Sequence, residues 1–239
     1  MKTNETIAAI VTGAFIFFGL STLGYLLGNA VNTFQQYERS VNVKGLSERE
    51  YEADVVIWPI QFTVADNTLA GIYATIEQNT TRIQAFLVKN GIAQADISVE
   101  PPSITDRKAQ LYGNENNNEF RYTAAQTVTV YSKNISVVRA LMGRLSELGK
   151  EGIAFTGESY QSQPEFIFTR LNEVKPDMIE EATKNAREVA EKFAADSQSQ
   201  LGKIKRASQG QFSIVSRDKN NPQIKKVRVV STIEYYLSD

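Results

Sequence analysis

Residues 7–31, IAAIVTGAFIFFGLSTLGYLLGNAV, run for 25 positions without a charged side chain. Few environments accept such a stretch. At 1.5 Å per residue a helix of this length extends about 38 Å, enough to cross a hydrocarbon core of about 30 Å with some tilt. Packing inside a water-soluble fold is disfavoured, because no face of the helix is polar. Two readings remain: an uncleaved single-pass anchor occupying residues 1–35 with its flanks, or an export signal cut after Ala30. The apolar run is longer than the roughly 7–15 residues usual before such a cut, which favours the anchor.

Orientation is not settled by charge. Lys2 precedes the segment, while Arg39, Lys44 and Arg49 follow it, interleaved with Glu38, Glu48 and Glu50. Counted alone, these bases hold the larger part in the cytoplasm, yet long domains translocate largely regardless of nearby charge. Gly24 and Gly28 stand four apart, the spacing that lets two membrane helices bring their backbones close. They are the candidates for packing within the bilayer.

Everything after Tyr37 has the makeup of a water-soluble body, about 200 residues long and able to bury a sizeable core. Lysines and arginines number 26 against 27 carboxylates, so no global field favours nucleic acid. Cysteine and histidine are absent. Disulfides, thiolate zinc sites, cysteine nucleophiles and histidine-based triads are therefore excluded by residue type. No glycine-rich phosphate loop is present. The expectation is a protein that is not an enzyme and has no cofactor and no metal.

The periodicity predicts a first strand over residues 41–46 and a turn at 47–50. A second strand over 54–65 puts Val56, Trp58, Ile60, Phe62 and Val64 on one face, with Pro59 opposite, marking an edge or bulge. Asn67 or Thr68 caps a helix to Lys89, striped by Leu69, Ile72, Ile76, Ile83 and Leu87 and stopped by Asn90 and Gly91. A strand over 97–111, broken by Pro101 and Pro102, turns through the Asn-rich loop 112–119 into a strand over 120–132. A helix over 135–148 follows, then a strand over 158–169.

Pro176 belongs in the first turn of a long helix reaching Gln200, with Met178, Ile179, Ala182, Ala186, Val189, Ala190 and Phe193 inward. Its alanines permit close approach to a sheet. Strands over 203–216 and 224–237 flank a turn at 218–222. Strand, helix, strand, Asn-rich turn and strand thus occur twice, offset by roughly 105–110 residues. The fold class expected is α+β: a transmembrane helix, then two βαββ-type units (53–132 and 158–238, joined by the helix 135–148) with antiparallel sheets and helices on one face.

Five ordered segments carry a family resemblance. Val41, Val43 and Gly45 spell V-x-V-x-G. Asp54 opens an alternating strand, with Ala53 where the family has proline. Gly91, Ile92, Asp96 and Ile97 match G-I-x-x-x-D-I, and Tyr122, Ala124, Val128 and Val130 match Y-x-A-x-x-x-V-x-V. Last, an alanine-rich helix leads to Leu201, Gly202 and Ile204, as in L-G-x-[IV]. Together they cover nearly all of residues 41–239, and the chain resembles the SIMPL-domain family (DUF541, the 26 kDa periplasmic immunogenic protein family).

The resemblance implies an exported envelope protein forming ring- or channel-like homo-oligomers, with a scaffold or stress-protection role and no established catalytic residues. It favours an inner-membrane anchor through residues 7–31 and a domain, residues 40–239, in the periplasm. The partners expected are further copies of the chain and the lipid bilayer, not nucleic acid. A periplasmic module binding a small ligand or peptide between the two halves is the alternative.

Of the carboxylates only Asp54 stands out, and capping at the strand start is its simpler role. Lys203, Lys205 and Arg206, with Lys225, Lys226 and Arg228, fall on two strands that should pair. They form either an anion- or partner-binding patch or edge charges that discourage aggregation.

Overall fold

A computed structural model describes residues 13–30, 39–109, 120–156 and 162–238 of the chain. The readings for residues 7–12 and 31, for the loop 112–119 and for 158–161 lie outside the described residues. The first helix, α1, spans Gly13–Ala30 with mean hydropathy 1.3, and no part of it is buried by the chain. Its length and composition suit a bilayer; an export signal meets the same test.

The remaining elements follow in order: β1 (Ser40–Glu52), β2 (Val55–Asp66), α2 (Leu69–Lys89), β3 (Ile97–Val99), β4 (Ser103–Asp106) and β5 (Tyr122–Ser132). Then come α3 (Ile135–Arg144), α4 (Ser146–Lys150), β6 (Ala154–Phe155), β7 (Glu165–Ile167) and α5 (Leu171–Asp196). The chain finishes with β8 (Gln200–Gln209), β9 (Ser213–Ser216) and β10 (Ile224–Ser238). The architecture is α+β with antiparallel sheets. One sheet runs β1-β10-β8, with β9 also on β10; the other runs β3-β5-β2-β6, with β4 on β5 and β7 on β2.

In each sheet the last strand of its series, β10 or β5, lies between an opening strand and an edge strand. The opening strand beside β10 is β1, while β7, which follows the first helical series, pairs with Val55–Ile57 of β2. A β–α–β–β order is thus completed in the four-stranded sheet by a strand from the start of the soluble part.

The chain divides into two compact units. The first comprises the described parts of Met1–Glu48, Lys175–Ser213 and Arg228–Asp239. Its core contains Val43, Ala186, Ala190, Ile233 and Tyr235. Met178, Ala182, Ala186, Ala190 and Ala194 recur every fourth residue on the buried stripe of α5. The alanines of this row meet Gly45 of β1, where a Cβ would overlap the carbonyl oxygen of Ala182. Glycine and alanine bring helix and strand backbones together here. Because the contact is this narrow, Val189 and Phe193, expected inward, remain exposed. The helix also begins five residues before Pro176, which occupies its second turn and removes one internal hydrogen bond.

The second unit comprises Arg49–Val174 and Ile214–Val227. Val56, Trp58, Ile60, Phe62 and Val64 line the inward face of β2, opposite Val128, Val130 and Tyr122 of β5. On α2 the buried stripe is Ile72, Ile76, Asn79, Ile83 and Leu87, while Leu69 in the first turn is exposed. Thr68 caps this helix through a bond from the Gly71 amide, and Gly91 (φ +95°) ends it in the left-handed region. Gln126 serves the buried face of β5: it accepts from the Thr80 hydroxyl at 2.7 Å and donates to the Glu100 carbonyl at 2.8 Å. Pro59 sits between the β7 pairing at residues 55–57 and the β6 pairing at 62–63. A strand that is internal overall therefore has a local edge where the missing amide costs no ladder bond.

Candidate functional site

Gly24 and Gly28 lie on the exposed α1 with open space where a Cβ would point. Nothing among the described residues packs against them, so their small face is available to a neighbour or to lipid.

Of the six basic residues, Lys203, Lys205, Arg206 and Arg228 belong to the first unit and Lys225 and Lys226 to the second. Lys203, Lys205 and Arg206 are exposed on β8, the edge strand, which pairs with Ser231–Ser238 of β10 in the antiparallel sense expected. Lys205 is 3.1 Å from Glu234 and 5.7 Å from the Tyr236 ring centroid. Glu234 also accepts a 2.6 Å bond from the Ser40 hydroxyl; that bond, then Lys205, holds its carboxyl below the usual range. Lys225, Lys226 and Arg228 lie beyond the paired span of β8. Within β10 the alternation separates them further: Arg228 is exposed, whereas Lys225 is on the face that buries Val227 and Val229.

Asp54 forms the corner between β1 and β2. Its carboxylate accepts from the Thr169 amide at 2.7 Å and the Thr169 hydroxyl at 2.5 Å, with Arg170 at 3.6 Å. Its own amide donates to the Ile167 carbonyl at 2.9 Å. Burial pushes the acid up, but the hydroxyl and amide of Thr169 outweigh it and leave it below the usual carboxylate value. The residue clamps the start of β2 to the segment after β7.

The local edge at Pro59 opens onto a cavity of about 960 Å³ in the second unit. Trp58, Ile60, Leu145, Phe155, Pro164 and Pro222 supply apolar wall, and Gln61, Thr156, Ser162, Gln163, Ser216, Asp218 and Lys219 supply polar atoms. The Thr156 hydroxyl oxygen is buried and has no hydrogen-bond partner among the described residues. Behind Ser216 stands Lys225, only 9% exposed, whose ammonium donates to the Ser216 hydroxyl at 2.9 Å. Burial pushes the lysine below its ordinary value, opposed by the negative charge of Glu165 on β7. A lysine whose charge is disfavoured by burial, within hydrogen-bond reach of a hydroxyl, is the chemical content of this arrangement.

By sequence Lys225 groups with the exposed bases. The signal that separates it is parity: it alternates in step with Val227, Val229, Ser231, Ile233 and Tyr235, all buried. Ser216 carries no comparable signal, because no single strand pattern reveals what a hairpin places opposite it. Among the described residues no cluster of three or more carboxylates could hold a metal ion.

The model of the SIMPL family, described as "Protein of unknown function (DUF541)", matches residues 41–232. A search of curated proteins found no match to the chain.

Proposed function

The chain belongs to the SIMPL family (DUF541), and on that premise we propose that it is a membrane-anchored envelope protein. In this reading α1 fixes it to the inner membrane as a single-pass anchor. The domain stands in the periplasm and joins further copies in a ring- or channel-like homo-oligomer with a scaffold or stress-protection role. That role is filled by position and assembly, and needs neither catalysis nor a cofactor.

The observation carrying this reading is α1. An 18-residue helix with no buried surface needs an apolar environment that the chain itself does not provide. Ser40 starts β1 only ten positions after Ala30, so the anchor and the body are closely tethered. A further support is β8: an exposed edge strand offers unpaired backbone groups to another chain.

The test uses the full-length protein. It should remain in membranes after an alkaline wash, and a protease added outside spheroplasts should digest the body. After detergent extraction, light scattering should give a single large particle. Release by the wash sinks the anchor, protection from protease sinks the periplasmic placement, and a monomer sinks the assembly.

A further inference from the structure

Anchoring and assembly make no use of the pair formed by Ser216 of β9 and Lys225 of β10, and the chemistry of that pair is independent of both. Ser216 is an exposed residue lining the cavity, and Lys225, a residue only 9% exposed, places its amine 2.9 Å from the Ser216 hydroxyl. The Lys225 side chain makes no other hydrogen bond among the described residues. An ammonium has three protons to place. Two of them have no acceptor among the described residues, so burial here makes the amine easier to reach than in water, against the opposing charge of Glu165.

The hydroxyl proton of Ser216 also has little to hold it, since its acceptor, the Pro222 carbonyl, is 3.4 Å away. With the amine neutral, that proton is better donated to the nitrogen. A nucleophile and a base within hydrogen-bond reach are the two elements of covalent acyl chemistry without histidine. The cavity in front of them pairs an apolar wall, including Trp58, Phe155 and Pro164, with the hydroxyl of Thr156, which has no partner among the described residues. Such a lining suits a small compound with an apolar body and one carbonyl acceptor.

We propose that Ser216 is an acyl-accepting nucleophile, that Lys225 is its general base, and that the cavity admits small uncharged esters. In the first step the Oγ–carbonyl carbon bond forms as the Oγ proton passes to Nζ. The carbon–oxygen bond to the leaving alcohol then breaks, and the alcohol departs with that proton. Water attacks the acyl-serine by the same route in reverse, giving its proton to Nζ and releasing the acid as Ser216 recovers the proton. No oxidant, metal or further reactant is consumed.

The experiment treats full-length protein with 4-nitrophenyl acetate and maps acetyl groups by peptide mass spectrometry. Wild-type protein should carry acetyl on Ser216, at a rate that rises with pH through a midpoint below the ordinary lysine value of 10.5. Glu165 is the charged group acting on Lys225, so Glu165→Gln should move that midpoint further down. Lys225→Met should slow Ser216 acetylation by about 100-fold or more, the usual share of a general base. Lys225→Ala with added ethylamine covers the case in which methionine disturbs the strand: recovery of the adduct in folded protein supports the base role. Failure to recover it overturns that role. Wild-type protein that neither carries acetyl on Ser216 nor releases 4-nitrophenol faster than Ser216→Ala, or equal labelling in folded Lys225→Met, also overturns the proposal, the second by showing an exposed hydroxyl reacting unaided.

Discussion

Asp54 holds two donors of Thr169 with one carboxylate, so removing it leaves both without their acceptor. Asp54→Ala should lower unfolding stability by about 2 kcal/mol, the usual size for hydrogen bonds to a charged group. A urea midpoint measured near neutral pH checks it. The pH dependence has a definite sign. The folded-state acid is depressed below its ordinary 3.8, so its contribution is fully present above that value. It fades as pH falls through the lower folded value. Lys225 runs the other way. Its folded value is depressed below 10.5, so the unfolded chain binds more protons between the two values and stability rises with pH there. Lys225→Met should remove that alkaline rise in stability. Stability curves at several pH values would read both effects. Asp54 is legible in the sequence as a corner residue because its place before an alternating run has a local meaning. The Ser216–Lys225 pair is not, since it arises only when a hairpin register brings residues nine positions apart side by side.

Among the elements, those with strong local signals lie where the periodicity places them. Thr68 and Gly91 bracket α2 as capping chemistry requires, and the apolar alternation of β2 and β5 appears as one buried face. Where tertiary contacts decide, sequence and structure part. The charged run at residues 47–50 reads as a turn, yet β1 continues to Glu52. Its Ser47 hydroxyl donates to Glu181 and its Leu46 carbonyl accepts from Asn185, both on α5. The strand expected over 203–216 is two, β8 and β9. The partners of β1 and β7 lie far away in sequence, so pattern alone assigns them to no sheet. The β1–α5 contact yields a sharp expectation at this scale. Gly45→Ala places a methyl group against the Ala182 carbonyl and the Ala186 amide, both backbone atoms that cannot rotate away. The helix must lift, at a cost of about 1–3 kcal/mol. Thermal unfolding should show that loss, whereas Gly149→Ala, at an exposed helix position with open space around it, should cost far less.

At the scale of the molecule, α1 and the folded body have separate physical requirements. The body satisfies its own: each unit has a buried core, and the bases and acids of the whole chain nearly balance. The helix does not, since its large side chains, Phe15 to Leu27, are all more than half exposed. If assembly belongs to the body, the helices of an assembled ring gather at its base because they are tethered there. Their mutual packing is then secondary. Gly24 and Gly28 are the residues through which such packing would occur, having open space around them and the right separation. Replacing both with leucine fills that face without adding charge, so insertion into the bilayer should persist. Cross-linking between helices, read from single cysteines placed at position 21 in an otherwise cysteine-free chain, should fall several-fold in the double variant. The mass of the detergent-extracted particle should stay unchanged. Collapse of that particle to monomers would move the source of assembly from the body to the helix, with β8 no longer needed as an interface.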